Sequence, residues 1–144
     1  MRGNLVLDED IILERISKIE KFLIELEEIK KLDYKDALQL RNLLATERLL
    51  QISIQSCIDI GNHIISVKRF KKPDTYSEIF EILKNEKIIS EKLADKLVEM
   101  TKFRNILVHF YTEIDEKIVY NIIQNNLDDF RDFIKEIRKL LGKS

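Results

Sequence analysis

The sequence is poor in the residues that punctuate or staple a chain. Its 144 residues include 3 glycines, 1 proline, 1 cysteine and no tryptophan. So few turn formers exclude an all-β sandwich, which needs turn signals every 8–12 residues or so. They also exclude long Pro- or Gly-rich linkers. A lone Cys57 removes disulfide frameworks and cysteine-rich zinc sites. Neither sign of charge dominates, with 25 Lys and Arg against 26 Asp and Glu and a formal net charge of -1. A protein that binds DNA through its whole surface is clearly basic, so that class is removed while a local basic pocket stays open. No apolar run approaches the roughly 18 residues of a membrane span, and residues 1–8 lack a secretory apolar stretch. A cytoplasmic protein with no membrane or DNA partner is expected. What is present is 44% hydrophobic and 35% charged residues, the balance of a globular domain made of amphipathic helices. The length suffices for one domain to bury its own core.

Apolar residues recur in steps of three and four at Ile12, Ile16, Ile19, Leu23, Leu26 and Ile29. This is the buried stripe of a helix over 8–32, with Asp8 as N-cap. Asp33 can cap a second segment reaching about Phe70, with Gly61 its only glycine. Polar residues are mixed through that segment, so it must meet neighbours on more than one side, a second copy of the chain among the options. Thr75-Tyr76-Ser77-Glu78 follows Pro73 as a capping box for a short helix. Ser90 caps a helix running towards Val108, and Asp115 caps a last one to Leu141, stopped by Gly142. The expectation is an all-α, up-and-down bundle of about four to five helices. It forms one domain over residues 1–144 with its core in 8–141.

Histidine chemistry can use only His63 or His109. On a helix, Asn105 and His109 point within about 40° of each other, whereas Arg104 and His109 differ by about 140°. The Asn105 amide can therefore orient the imidazole, and Arg104 meets it only at a helix end or from a neighbouring chain. Alternation beyond the helix end would put Tyr111 on the same side as His109. A fixed cation, a group that titrates near neutrality and a phenol thus fall within eight residues. They suit metal-independent RNA cleavage. A neutral imidazole accepts the proton of a ribose 2′-hydroxyl, and a guanidinium stabilises charge on the phosphate oxygens. An Arg and a His five apart also occur in helical proteins with no active site, so composition and spacing alone leave the function open.

Arg104-x-x-x-x-His109-x-Tyr111, with Asn105 directly after the arginine, resembles the signature of HepT-like proteins in the HEPN superfamily. The resemblance extends to Glu47-Arg48-Leu49-Leu50-Gln51, to Asp59-Ile60-Gly61-Asn62-His63-Ile64-Ile65, and to Tyr76-Ser77-Glu78-Ile79-Phe80-Glu81-Ile82-Leu83. Phe103-Arg104-Asn105 and Ile114-Asp115 complete it, so that it covers about residues 8–141. It implies a helical homodimer and the ribonuclease toxin of a toxin–antitoxin module, with no cofactor. Arg104 and His109 would be catalytic and Asn105 supporting, with two copies of the motif facing each other across the dimer. Tyr111 would receive AMP from an antitoxin, a minimal nucleotidyltransferase of the MntA type. A bulky anion beside His109 would block a phosphate-binding cleft.

Several further residues have both a functional and an ordinary reading. Asp59 and His63, four apart, can form a hydrogen-bonded pair that steadies the site, or a plain helix-face contact. The spacing of His63, His109 and Asp59 matches no recognised metal site, and no metal is expected. Lys68, Arg69, Lys71 and Lys72 around Phe70 can grip RNA phosphates, or simply complement a helix terminus. Lys102 lies nearer the motif and is the better RNA contact. Tyr76, Tyr120 and Cys57 read as packing residues, and Glu25-Leu26-Glu27-Glu28 as a water-facing edge or an antitoxin dock. The alternative to a ribonuclease is a non-catalytic substrate-binding or regulatory subunit of a nucleotidyltransferase. A helical assembly protein without an active site is the third reading.

Overall fold

The computed structural model describes residues 7–109 and 115–142. The elements among them are all helices: α1 (Glu9–Lys30), α2 (Tyr34–Ala37), α3 (Leu40–Lys68), α4 (Tyr76–Asn85), α5 (Glu91–His109), α6 (Glu116–Asn125) and α7 (Leu127–Leu140). The all-α class is as expected, but seven helices among the described residues replace the expected four to five, for two local reasons. Asp33 accepts the Asp36 N–H at 2.8 Å and closes a single turn, α2, before the chain bends at Gln39. The expected last helix is interrupted at Asn126, whose φ of -121° leaves helical space. Its side chain donates to Asp129 at 3.0 Å, and such side-chain bonds are how Asn competes with the helical backbone.

The other helix starts follow their caps. Asp8, Thr75, Ser90 and Asp115 accept from the N–H groups of Ile11, Glu78, Leu93 and Lys117. Glu78 reaches back to the N–H of Asp74 rather than to that of Thr75, at 3.2 Å. Two helix ends manage without glycine. Arg69 (φ 59°) and Lys87 (φ 60°) take the left-handed conformation after α3 and α4. Phe70 N–H then donates to Ile65 and Ile88 N–H to Leu83, the bonds that close such a turn. Each left-handed residue with a Cβ costs about 1–2 kcal/mol.

The whole α1 stripe is buried. Helix α3 runs through the middle and touches α1, α4, α5, α6 and α7, which explains its untidy apolar pattern by contacts within the chain. Gly61 makes the α3–α4 approach possible, since a Cβ there would lie 2.5 Å from Cγ2 of Ile79. Phe80 and Phe133 meet edge to face at 5.9 Å in the centre. Cys57 is fully buried on α3, and burial pushes its thiol well above the usual range. It is a core residue, as expected. Among the described residues no helix is long and apolar enough to cross a membrane.

Candidate functional site

The expected motif begins on the last turns of α5. Buried Met100 and Phe103 hold that helix to the core. Thr101, also buried, donates to the Val98 carbonyl at 2.7 Å. Its single proton is thereby used, so Ser77 of α4 donates to Thr101 Oγ1, at 2.8 Å. This bond fixes the first turn of α4 against α5 and sets Tyr76 beside Arg104.

The Arg104 guanidinium carbon lies 5.1 Å from the centre of the Tyr76 ring, within cation–π range. Its Nη1 donates to Asn105 Oδ1 at 3.4 Å. Its Nε is buried with no acceptor among the described residues, and no described carboxylate pairs with it. An aromatic face and an amide therefore position the cation without neutralising it. Asn105, expected to orient His109, thus contacts Arg104 directly. His109 is the last residue of α5, which places it on one helix with Asn105, four positions on. Tyr111 lies outside the described residues.

Two cavities lie near this cluster, one lined by Arg104 and the other by its two partners. One, of about 290 Å³, lies among α1, α3 and α5 and is lined by Arg15, Lys18, Arg48, Gln55, Asp59 and Arg104 itself, among others. The other, of about 470 Å³, is lined by Tyr76 and Asn105, the two residues that hold Arg104, with Asn62, Lys72 and the 73–75 turn. Of the basic run at the end of α3 and beyond it, Lys72 alone lines either of them, while Lys68, Arg69 and Lys71 are exposed elsewhere. Lys102 is exposed and paired with Glu99 at 3.0 Å.

The expected Asp59–His63 pair does not form. Asp59 accepts from Arg15 Nε of α1 at 3.3 Å and from Gln55 at 2.9 Å. A cation on a facing helix is a stronger partner for a carboxylate than a neutral imidazole one turn away. His63 Nε2 instead accepts the Asp8 N–H at 3.1 Å, so that nitrogen carries no proton and the ring ties the start of α1 to α3. Asp59 thus lines the cationic cavity, whereas His63 lines neither cavity. Among the described residues no cluster of three His, Cys, Asp or Glu is placed to hold a metal.

Sequence reasoning missed Arg15, Lys18, Arg48 and Tyr76. Arg15 and Lys18 sit between stripe positions of α1, where charges usually face water, and Tyr76 reads as a packing residue. Arg48 lies within a segment that carried the resemblance, which was its only signal.

A family model described as ribonuclease HepT-like matches residues 12–137. The chain belongs to the HepT-like family. It is 30% identical over 133 residues to an mRNA nuclease HepT of Shewanella oneidensis, covering 90% of this chain and 97% of that one. It is 33% identical over 135 residues to a tRNA nuclease HepT of Aphanizomenon flos-aquae, covering 92% of each. Its fold is similar to that of a tri-AMPylated HEPN toxin of Shewanella oneidensis solved in complex with MNT antitoxin. There the TM-score is 0.84 at 29% identity, over 90% of this chain and 98% of that one. A toxin–antitoxin crystal structure with AMP-PNP aligns with the same TM-score at 28% identity and the same coverage.

Proposed function

We propose that this HepT-like protein is the toxin of a toxin–antitoxin module and cleaves RNA without a metal ion. The observation that carries this reading is the state of Arg104. It is held by Tyr76 and Asn105, paired with no described carboxylate, and lines a cavity shared with three further cations. In the reaction His109 accepts the 2′-hydroxyl proton, and the freed 2′ oxygen attacks the adjacent phosphorus. The bond from phosphorus to the 5′ oxygen breaks, and that oxygen takes up a proton. The products are a 2′,3′-cyclic phosphate and a 5′-hydroxyl. Arg104 stabilises the charge that grows on the non-bridging oxygens.

The working unit is a homodimer in the cytoplasm, each copy a single domain over residues 1–144. The wide angle between Arg104 and His109 on one helix supports it, since each can act with its counterpart across a two-fold axis. So does Ile106, which leaves an apolar side chain 37% exposed on the motif helix. The regulator is an MntA-type nucleotidyltransferase antitoxin that transfers AMP to Tyr111, placing a bulky anion two residues from His109 and repelling RNA phosphate.

The test is cleavage of total RNA in excess EDTA by purified protein that mass spectrometry shows to be free of AMP. Cleavage that leaves cyclic phosphate ends and falls by at least about a hundredfold in His109→Ala is expected. Nucleotide binding without cleavage would overturn the ribonuclease reading in favour of a nucleotidyltransferase subunit.

A further inference from the structure

We infer that the cavity among Arg15, Lys18, Arg48 and Arg104 is a second phosphate subsite, which takes an RNA backbone phosphate flanking the scissile one. The identity of the ligand rests on the ribonuclease reading; the anion site itself rests on charge. Four cationic side chains line a space of about 290 Å³ together with one carboxylate, Asp59. Arg15 is engaged by Asp59 at 3.3 Å and by Glu14 at 2.6 Å. Lys18, Arg48 and Arg104 have no ion-pair partner among the described residues. Gathering unneutralised like charges around one small space raises the energy of the empty state, and an anion that enters relieves it.

The lining also decides which part of a nucleotide enters. No aromatic ring lines this cavity, so a base has nothing to stack on. The ring that packs on Arg104, that of Tyr76, lines the second cavity instead, with Asn62 and Asn105. The Gln55 amide nitrogen already donates to Asp59; the remaining donors are the Gln51 amide, the Ser56 hydroxyl and the four cationic groups, and guanidinium and ammonium groups are the ones that favour phosphate. Arg104 lines this cavity while its partners Tyr76 and Asn105 line the other, so an anion bound here is a neighbour of the phosphate that Arg104 stabilises.

The test exploits substrate length. A dinucleoside monophosphate contains the scissile phosphate and no other, whereas a hexanucleotide also supplies flanking ones. Arg48→Gln and Lys18→Gln are compared with the unsubstituted dimer on both substrates, with circular dichroism as the folding control. For the hexanucleotide, KM should rise about tenfold for each charge-assisted hydrogen bond removed, with kcat unchanged. The slope of log affinity against log salt should shrink by about 0.7 for each phosphate that is no longer neutralised. For the dinucleoside monophosphate both constants should stay within twofold. Equal losses on both substrates, or no loss on either, overturn the subsite. If the unsubstituted protein cleaves neither substrate, the ribonuclease reading fails, and the subsite is then judged by calorimetric binding of the same hexanucleotide. Binding weakened tenfold by Arg48→Gln supports it, and binding unchanged or absent overturns it.

Discussion

Helix α1 borders two cavities of opposite character. Against α7 it forms the larger one, about 750 Å³, floored by Leu23, Ile24 and Ile134. Every rim arginine there is neutralised in place. Arg131 meets Glu27 at 2.6 Å and Asp128 at 2.9 Å, and Arg138 meets Glu20 at 3.1 Å. Burial disfavours the Arg131 charge, yet hydrogen bonds to Glu27 and Asp128 hold its guanidinium above the usual range. Against α3 and α5 the same helix borders the smaller cavity, where Lys18, Arg48 and Arg104 are left without described carboxylate partners. Volume and apolar lining favour the first cavity, but chemistry favours the second. An internal ion pair has already spent its electrostatic field, whereas an unpaired cluster still projects one towards a ligand.

The comparison can be broken or sharpened by experiment. Arg104→Ala removes the cation held by Tyr76 and Asn105 and should lower kcat for RNA cleavage by about a hundred- to a thousandfold, read from initial rates with folding checked by circular dichroism. Matched charge reversals test the contrast directly. Lys18→Glu in the small cavity should raise KM for a hexanucleotide more than about tenfold, whereas Lys135→Glu beside the α1–α7 groove should leave it within about twofold. Equal effects from both would mean that only overall charge matters. Tyr76→Leu keeps the apolar contact but removes the π face under Arg104, and should lower kcat/KM by a factor of about two to five. The smallest effect belongs to Arg138→Gln, which loses an exposed ion pair. Chemical denaturation should show a loss below about 1 kcal/mol, with cleavage unchanged.

Much of the helical frame was legible because it is local. The α1 stripe follows from spacing alone, and the caps at Asp8, Asp33, Thr75, Ser90 and Asp115 need only a side chain within three residues of the N–H that it accepts. The break at Asn126 was not legible, because the apolar steps continue from Ile122 and Ile123 through Leu127 to Phe130. Nothing in that pattern marks the asparagine as the place where the backbone leaves helical space. Asp59 and His63 show the limit of spacing rules most clearly. A four-residue separation makes a pair possible, but Arg15 of the facing helix and the Asp8 N–H each supplied a better partner.

Within the site, the chain alone placed Arg104, Asn105 and His109 on one helix, because four- and five-residue spacings within a helical segment need no tertiary information. The all-α class and the core positions follow likewise from periodicity and from the scarcity of glycine and proline. Which cations stand together was decided only in three dimensions. Arg15 and Lys18 of α1 meet Arg48 of α3 and Arg104 of α5 because the buried stripes of three helices rotate their polar edges into one space. Periodicity specifies which face of each helix turns inward, but the neighbours along its edges depend on how the helices cross. Tyr76 became the seat of Arg104 in the same way, through the Ser77–Thr101 bond that joins α4 to α5.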